Sequence, residues 1–215
     1  MSSPTTPASI GPGEFFPVVG VGPHEKPWPA GEQFDPELLL NGDRRNVLDH
    51  YRYWTVEAIV ADLNTKRHKL QIAIENWQHD LNIGSIVRTA NAFNVSAVHI
   101  VGKRDWNKRG AMVTDRYLTV MHHPTIQDFA KYCNEEKLPI IGIDNVPGSK
   151  QLESADLPES CVLLFGQEGA GMSDEGIDVC EVLYEINQYG STRSMNASAA
   201  GAIAMYHWAL QHLPR

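Results

Sequence analysis

The chain has 215 residues, of which 42% are apolar and 20% charged, a balance typical of a globular protein with a sizeable core. This composition excludes a largely disordered chain, and no stretch approaches the ~18 apolar residues of a membrane-spanning helix. The first residues carry neither a basic start nor an apolar block, so we expect no secretory signal and no membrane partner. Three scattered cysteines predict neither a disulfide framework nor a metal site, which favours a cytoplasmic location.

The net charge of −8 hides an asymmetry along the chain. Residues 63–116 carry nine Lys or Arg and four acidic residues, whereas residues 151–186 carry nine acidic residues and no Lys or Arg. Such sorting allows one basic face to meet a polyanion in a protein that is acidic overall. Ordinary solvated surface charge explains the same pattern equally well, so charge alone does not identify a partner.

The N-terminal part differs in composition from the rest. Residues 1–36 hold eight of the 13 prolines and five of the 17 glycines, which predicts an irregular arm. Residues 36–65 predict helices that break at Asn41-Gly42, with Asp43 placed to cap the second helix. We therefore predict an N-terminal extension over residues 1–68 and a separate domain over residues 69–215. The basic cluster at residues 66–69 suggests that the extension packs on the domain and enlarges a surface for a polyanion, and a stabilising or partner-shielding extension is the alternative.

From residue 69 onward, short apolar runs alternate with amphipathic stretches. The apolar runs predict five strands, at residues 70–74, 97–101, 139–143, 161–165 and 182–186. The amphipathic stretches predict helices at residues 82–93 and 126–136 and from about 196 to 214. This alternation is typical of an α/β fold with a parallel sheet and helices on both faces, and such sheets bind ligands at the carboxyl ends of their strands.

Three segments differ from ordinary core and turn sequence. The first, residues 75–90, places Asn82 at a helix start and Arg88 inside an otherwise apolar helix, where a guanidinium needs an anionic partner. A buried Arg–carboxylate pair without a catalytic role explains Arg88 equally well.

The second segment is glycine-rich, and the third is a polar loop that enters a helix. Residues 164–172 contain three glycines after a strand, in neither the GxGxxG nor the GxxxxGK[ST] spacing. Residues 186–201 lead into a helix whose first turns carry tiny side chains, which permit close packing within the subunit or across a dimer interface. Alone, the second segment is consistent with an ordinary glycine-rich turn, and the third with tight helix packing.

Together, the three segments resemble the motifs of the SpoU/TrmH class of SPOUT RNA methyltransferases. The class pattern Asn-x-[Gly/Ser]-x-x-x-Arg-Thr matches residues 82–89, and Gly-x-Glu-x-x-Gly matches residues 166–171. The class helix start Ser-Leu-Asn matches residues 194–196, with Met195 in place of Leu. The resemblance covers residues 69–213 and leaves residues 1–68 unexplained.

The resemblance implies a fold, a cofactor and a set of site residues. The implied fold has a deep trefoil knot in its C-terminal part, and S-adenosylmethionine binds in that knot. The implied assembly is a homodimer whose active site is completed across the interface. The implied cofactor-binding residues are Gly166, Ile186, Met195, Leu164 and Gly171. The implied catalytic residues are Arg88, Asn82, Ser194, Asn196 and Glu168. No metal is implied, and His122-His123 lacks neighbours at ligand spacing.

The implied reaction is methylation of a ribose 2′-hydroxyl in structured RNA. A tRNA is the first choice, with a D-loop guanosine as the best precedent, and rRNA is the second. The basic residues 102–116, with Trp106, then form a surface that contacts the RNA backbone. A guanidinium stays protonated in proteins, so we expect Arg88 to stabilise charge rather than act as a base.

Two other classes of function are compatible with parts of the sequence. A non-catalytic knotted RNA-binding dimer would keep the fold, but it has no reason to retain the polar set formed by Asn82, Arg88, Ser194 and Asn196. A dinucleotide-binding oxidoreductase would share the α/β pattern, but the GxGxxG fingerprint is missing.

Overall fold

The computed structural model describes residues 20–77, 82–167 and 169–214. Contacts divide the chain into two compact units, with the division between Ile59 and Val60. A helix at Val56–Asn64 spans this division. The predicted domain boundary between residues 68 and 69 lies shortly after that helix and remains a prediction.

The first unit contains little regular structure. Its helix α1 spans Pro36–Asn41 and begins at Asp35, whose carboxylate accepts hydrogen bonds from the next turn. A 3-10 turn at Asp49–Tyr51 follows, and helix α2 begins at Val56. The break predicted at Asn41-Gly42 is confirmed, because α1 ends there.

The predicted role of Asp43 as a helix cap is wrong, because residues 44–48, which follow it directly, form no helix. Asp43 is fully buried, and its carboxylate accepts bonds from the Arg45 guanidinium at 2.7 Å and from the Tyr53 N–H at 3.0 Å. Burial opposes ionisation, but the hydrogen bonds from Arg45 and Tyr53 and the Arg45 charge outweigh it and lower the pKa of Asp43 to about 2. Asp43 therefore organises the first unit.

The second unit is built on a parallel sheet of seven strands. The strands are β1 His68–Asn76, β2 Val95–Gly102, β3 Val120–His123, β4 Ile140–Ile143, β5 Lys150–Gln151, β6 Cys161–Phe165 and β7 Val182–Glu185. The helices are α3 Asn82–Ala92, α4 Ile126–Glu135, α5 Asp174–Asp178 and α6 Ala197–His212. The sheet order is β3-β2-β1-β6-β4-β7-β5, with every pairing parallel. The α/β prediction is confirmed; β3, β5 and α5 were not predicted.

Both faces of the sheet are covered by helices, as the pattern predicts. Successive residues of a strand point to opposite faces, so Leu163 and Leu164 enter different apolar clusters. The cluster that contains Leu163 includes residues of α3 and α6, among them Trp208. The cluster that contains Leu164 includes Phe129 and its neighbours on α4. The sheet is thus buried on both sides, which leaves the strand ends as the place for a site.

A buried histidine pair lies beneath α4. His99 of β2 shares a hydrogen bond of 2.9 Å with His123 of β3, and its other ring nitrogen lies 2.7 Å from the Gln71 side-chain oxygen. Burial and the neighbouring His123 lower the pKa of His99 to about 3, and burial also lowers the pKa of His123. The His122-His123 pair of the sequence is therefore split, with His123 in the core.

Candidate active site

A cavity of about 560 Å³, the first cavity, lies at the carboxyl ends of β4, β6 and β7. Its walls are residues 143–146, 165–167, 169–172, 186, 188, 193–197 and 200. Ligands of open parallel sheets bind at this edge, because the loops that follow the strands converge there. The glycine-rich and polar-loop segments of the sequence thus meet around one space.

The glycine-rich turn, residues 166–172, closes on itself. Gln167 and Gly171 exchange two backbone hydrogen bonds of 3.0 Å each, and Gly171 has a φ of +73°. A Cβ on Gly166 would lie 2.1 Å from the Met172 nitrogen and 2.3 Å from the Gly171 carbonyl carbon. Gly166 is therefore needed for the turn to close, rather than only to leave space for a ligand.

Two carboxylates that sequence reasoning missed hold this turn in place. Asp144, directly after β4, accepts a hydrogen bond of 2.7 Å from the Met172 N–H. Glu75, fully buried near the end of β1, accepts bonds from the Ser173 N–H at 2.8 Å and the Ser173 hydroxyl at 2.5 Å. Their position in the sequence could have identified them, since both directly follow predicted strands, at the edge of the sheet where ligands bind.

The first and third segments of the sequence meet through two asparagines. Asn196 caps α6, and its side-chain oxygen accepts a bond of 3.0 Å from the Ser198 N–H. Its side-chain nitrogen donates to the oxygen of the buried Asn82 at 2.8 Å. Asn82 is the first residue of α3, so this contact ties the start of α3 to the start of α6.

The predicted site residues fall into three groups. Six of them line the first cavity: Gly166, Gly171, Ile186, Met195, Ser194 and Asn196. Three do not line it: Leu164, whose side chain is fully buried in β6; Asn82, which contacts Asn196; and Arg88. Glu168 lies outside the described residues. The cavity thus collects most of the predicted cofactor-binding set, and the individual roles remain predictions.

Arg88 is not the buried cation that its apolar neighbours predict. It is exposed on α3, between the fully buried Val87 and the half-buried Thr89. Within residues 20–77, 82–167 and 169–214, no ion pair to Arg88 is formed. A buried structural pair with one of the described carboxylates therefore does not account for this arginine.

The basic loop, residues 102–116, lies directly on α3. A Cβ on Gly84 would be 2.8 Å from both the Ala111 nitrogen and the Asn107 carbonyl oxygen. A Cβ on Gly110 would be 2.9 Å from the Ser85 nitrogen. Backbone of α3 and backbone of the loop thus touch through two glycines, which explains physically why a glycine stands at this position of the first motif.

The cysteine thiols and the possible metal ligands among the described residues do not indicate a nucleophile or a metal site. Burial raises the pKa of Cys133, Cys161 and Cys180 to about 12, so none of these thiols is activated. Among the residues that the structure describes, no group of three or more His, Cys, Asp or Glu is arranged to hold a metal ion. Within the same residues, no helix has the length and apolar character needed to cross a membrane.

The fold and the cavity fit a known family. Residues 69–206 match the SpoU rRNA Methylase family, and the chain belongs to that family. The resemblance seen in the three sequence motifs is thereby confirmed.

Relatives of the chain are RNA-modifying enzymes by name. A tRNA (guanosine(18)-2′-O)-methyltransferase of Borreliella burgdorferi is 24% identical over 147 residues, which are 67% of each chain. The A. aeolicus TrmH/SpoU tRNA modifying enzyme has a TM-score of 0.64 at 22% identity, over 73% of this chain and 83% of that chain.

A second solved structure carries a ligand. The SpoU methyltransferase AviRb from Streptomyces viridochromogenes, in complex with the cofactor AdoMet, has a TM-score of 0.63 at 22% identity, over 71% of this chain and 64% of AviRb. The chain spans 59% of a TrmH-family protein from Porphyromonas gingivalis. At these identities, the solved structures establish a shared fold.

Proposed function

We propose that this protein transfers a methyl group from S-adenosylmethionine to a ribose 2′-hydroxyl of structured RNA in the cytoplasm. A tRNA is the first choice and rRNA the second. The observation that carries the proposal is the first cavity, because two segments that match family motifs line it together. A D-loop guanosine is the favoured nucleotide, supported by the name of the B. burgdorferi relative.

The residues present fit the proposed cofactor. The first cavity, about 560 Å³, lies within the range of roughly 300–1,000 Å³ that holds cofactor-sized ligands. Its walls offer backbone groups of the glycine-rich turn, together with the Asp144 carboxylate and the Gln188 amide. Gly166, Gly171, Ile186 and Met195 are the proposed contacts. When bound, S-adenosylmethionine supplies a methyl group on a positively charged sulfur.

The side chains around the cavity have separate proposed roles. The 2′-hydroxyl loses its proton as the new carbon–oxygen bond forms, and the proton leaves to water or to the neighbouring phosphate. Arg88 stabilises the alkoxide charge that develops and clamps that phosphate. Ser194 and Asn196 hold the nucleotide beside the cavity. Asn82 acts as a positioning residue, through its 2.8 Å bond to Asn196.

A homodimer would bring Arg88 to the cavity of a partner subunit. Arg88 does not line the first cavity of its own chain, which supports an active site completed across an interface. Helix α6 exposes Ile203, Tyr206 and Leu210 at 42–57%, spaced so that they share one face. The tiny residue Gly201, by contrast, faces Ile86 within the chain. Sedimentation as a monomer at micromolar concentration would contradict the dimer.

The knot and the N-terminal extension belong to the same proposal. Strand β6 lies between β1 and β4, and β7 lies between β4 and β5, so later strands insert among earlier ones. This order supports a threaded C-terminal part. The basic cluster proposed to enlarge the RNA surface is largely paired within the chain, since Lys66 contacts Asp62 at 2.6 Å and Lys69 contacts Glu159 at 3.0 Å. Removal of residues 1–68 should raise the Michaelis constant for RNA more than it changes cofactor affinity.

One experiment separates the proposed function from the other classes. Full-length protein is incubated with tritiated S-adenosylmethionine and with bulk tRNA or bulk rRNA, and the labelled nucleotide is mapped. Label on a ribose 2′-oxygen of tRNA is the expected result. Binding of RNA without label would favour a non-catalytic dimer. If calorimetry detects no binding of S-adenosylmethionine or its demethylated product, the proposed cofactor is wrong.

A further inference from the structure

A second cavity, of about 350 Å³, lies beside the edge strand β3, next to the basic loop. Its walls come from β3, from the end of β2 and from the residues that follow β2. Neither the motifs nor the proposed mechanism uses it. Its strand residues are Ile100, two residues before the end of β2, and the first three residues of β3.

The charged side chains of the second cavity balance one another. Arg104 and Lys108 are matched by Asp105 and Asp115, and the Lys108 ammonium lies 3.1 Å from the Asp115 carboxylate. A site for a phosphate anion would show an excess of positive charge. The balance instead favours an uncharged ligand with polar edges, with the exposed Arg104 beside it for a backbone phosphate.

Trp106 gives the second cavity a flat aromatic wall. It is half-buried and packs against the core cluster beneath the sheet, so its ring is held in place. The Lys108 ammonium lies over the ring, 5.5 Å from its centroid. A tryptophan ring that lines a cavity beside a cation is an arrangement on which unpaired nucleobases stack.

The second cavity holds acceptor groups beside its two cations. The His122 Nε2–H donates to the Gly102 carbonyl at 2.8 Å, because a carbonyl can only accept. In the neutral ring, Nδ1 is then an acceptor. With the carboxylates of Asp105 and Asp115, this set complements a ligand edge that carries N–H donors. The amino groups of guanine, adenine and cytosine each offer two N–H donors, whereas the edge of uracil offers only its single N3–H.

The second cavity lies within reach of the proposed methylation site. The basic loop that carries Trp106 touches α3 at Gly84, one helical turn before Arg88. A nucleotide held here is therefore close to Arg88, the residue proposed to stabilise charge on the nucleotide that reacts.

We propose that the second cavity binds one unpaired nucleobase that carries an exocyclic amino group, on a nucleotide near the one methylated. The base stacks on Trp106 and presents its amino edge to Asp105, Asp115 and His122. The assignment of that base to substrate RNA rests on the proposed function. The nucleobase chemistry rests on the cavity alone.

The first test measures binding without any reaction. The full chain is labelled with 5-fluorotryptophan, and the Trp106 resonance is assigned by its loss in Trp106→Phe. GMP, CMP and AMP at millimolar concentration should shift that resonance, and UMP should shift it less. Inorganic phosphate and ribose 5-phosphate should leave it unchanged. Shifts with phosphate alone would identify a phosphate site, and no shift with any nucleotide would overturn the proposal.

The second test uses RNA. Trp106→Ala should weaken binding of bulk tRNA about 5- to 100-fold, whereas Trp106→Phe, which keeps an aromatic ring, should keep most of the affinity. Equal affinity of Trp106→Ala and wild type would contradict the proposal, provided that thermal unfolding shows a folded variant. Nucleotide shifts without methyl transfer would leave the cavity assigned and the proposed function wrong. Methyl transfer without nucleotide shifts would support the proposed function and overturn the assignment of the second cavity.

Discussion

The two halves of the sheet are built for different tasks. In the half formed by β6, β4 and β7, the loop that follows β6 is closed by its own backbone bonds and fixed by Asp144 and Glu75. In the half formed by β3, β2 and β1, the basic loop is fixed by backbone contact with α3 and directs its charges outward. One half preorganises a cavity wall, and the other presents a cationic surface.

Gly166→Ala should cause the largest loss of stability, because the new Cβ prevents the glycine-rich turn from closing. The new Cβ would lie 2.1 Å from the Met172 nitrogen, so backbone must move. We expect the free energy of unfolding to fall by about 3 kcal/mol or more in urea. Gly190→Ala is the matched control, since its Cβ would meet nothing within 4 Å. Equal stability of the two variants would show that the turn is not rigid.

Arg88→Ala tests the cationic half of the sheet. Arg88 is exposed, so the variant should unfold at the wild-type temperature and bind S-adenosylmethionine normally. Turnover should fall by about 10²–10³, the usual cost of losing one charge stabiliser. Arg88→Lys should restore part of the rate, because a point charge replaces the guanidinium fork only partly. Wild-type turnover in Arg88→Ala would refute the assignment.

Asp144→Ala and Gln188→Ala compare the two walls of the first cavity. Asp144→Ala removes the acceptor of the Met172 N–H and should cost about 1–3 kcal/mol of unfolding free energy. Gln188→Ala removes a 2.9 Å bond to the Ile186 carbonyl in the half-exposed polar loop, where water can replace it, and should cost about 0.5 kcal/mol or less. Urea denaturation measures both. The reverse ranking would contradict the comparison.

The buried histidine pair in the half formed by β3, β2 and β1 should make the stability of the protein depend on pH. Because the pKa of His99 is about 3 when folded and near 6.5 when unfolded, only the unfolded chain binds this proton between those values. Stability should therefore be unaffected above pH 6.5 and fall below it, by about 1.4 kcal/mol at pH 5.5. His99→Gln should flatten part of this slope in thermal unfolding at pH 5.5 and 7. An unchanged slope would indicate another titrating group.

Elements with strong local patterns were predictable from sequence. The run at residues 161–165 is apolar throughout and coincides with β6. Strand β3 was missed because Val120-Met121-His122-His123 has no such pattern, and its pairing with β2 depends on residues far along the chain. The helix expected after Asp43 fails for a different, local reason: the buried Asp43 carboxylate binds the Arg45 N–H and guanidinium and holds that backbone in a turn.

The site was predictable where it is carried by backbone and motif, and not where side chains act at long range. Five motif positions and Ile186 line the first cavity, because the motif spacing reflects one local turn or one helix start. Glu75 and Asp144 were missed because each bonds a backbone N–H distant in the chain, 98 and 28 residues away. The exposure of Arg88 was missed because helical periodicity does not give the width of the buried stripe.

Helix α6 is synthesised last, so one apolar face of the sheet stays uncovered until the end of synthesis. It supplies Ala204, Met205 and Trp208 to the same apolar cluster as Leu70 and Ile83 near the other end of the domain. During synthesis at about 5–20 residues per second, the earlier strands must wait several seconds with that sheet face uncovered. Nascent chains that stall before α6 emerges therefore present an apolar surface that chaperones and proteases recognise, whereas completed chains conceal it.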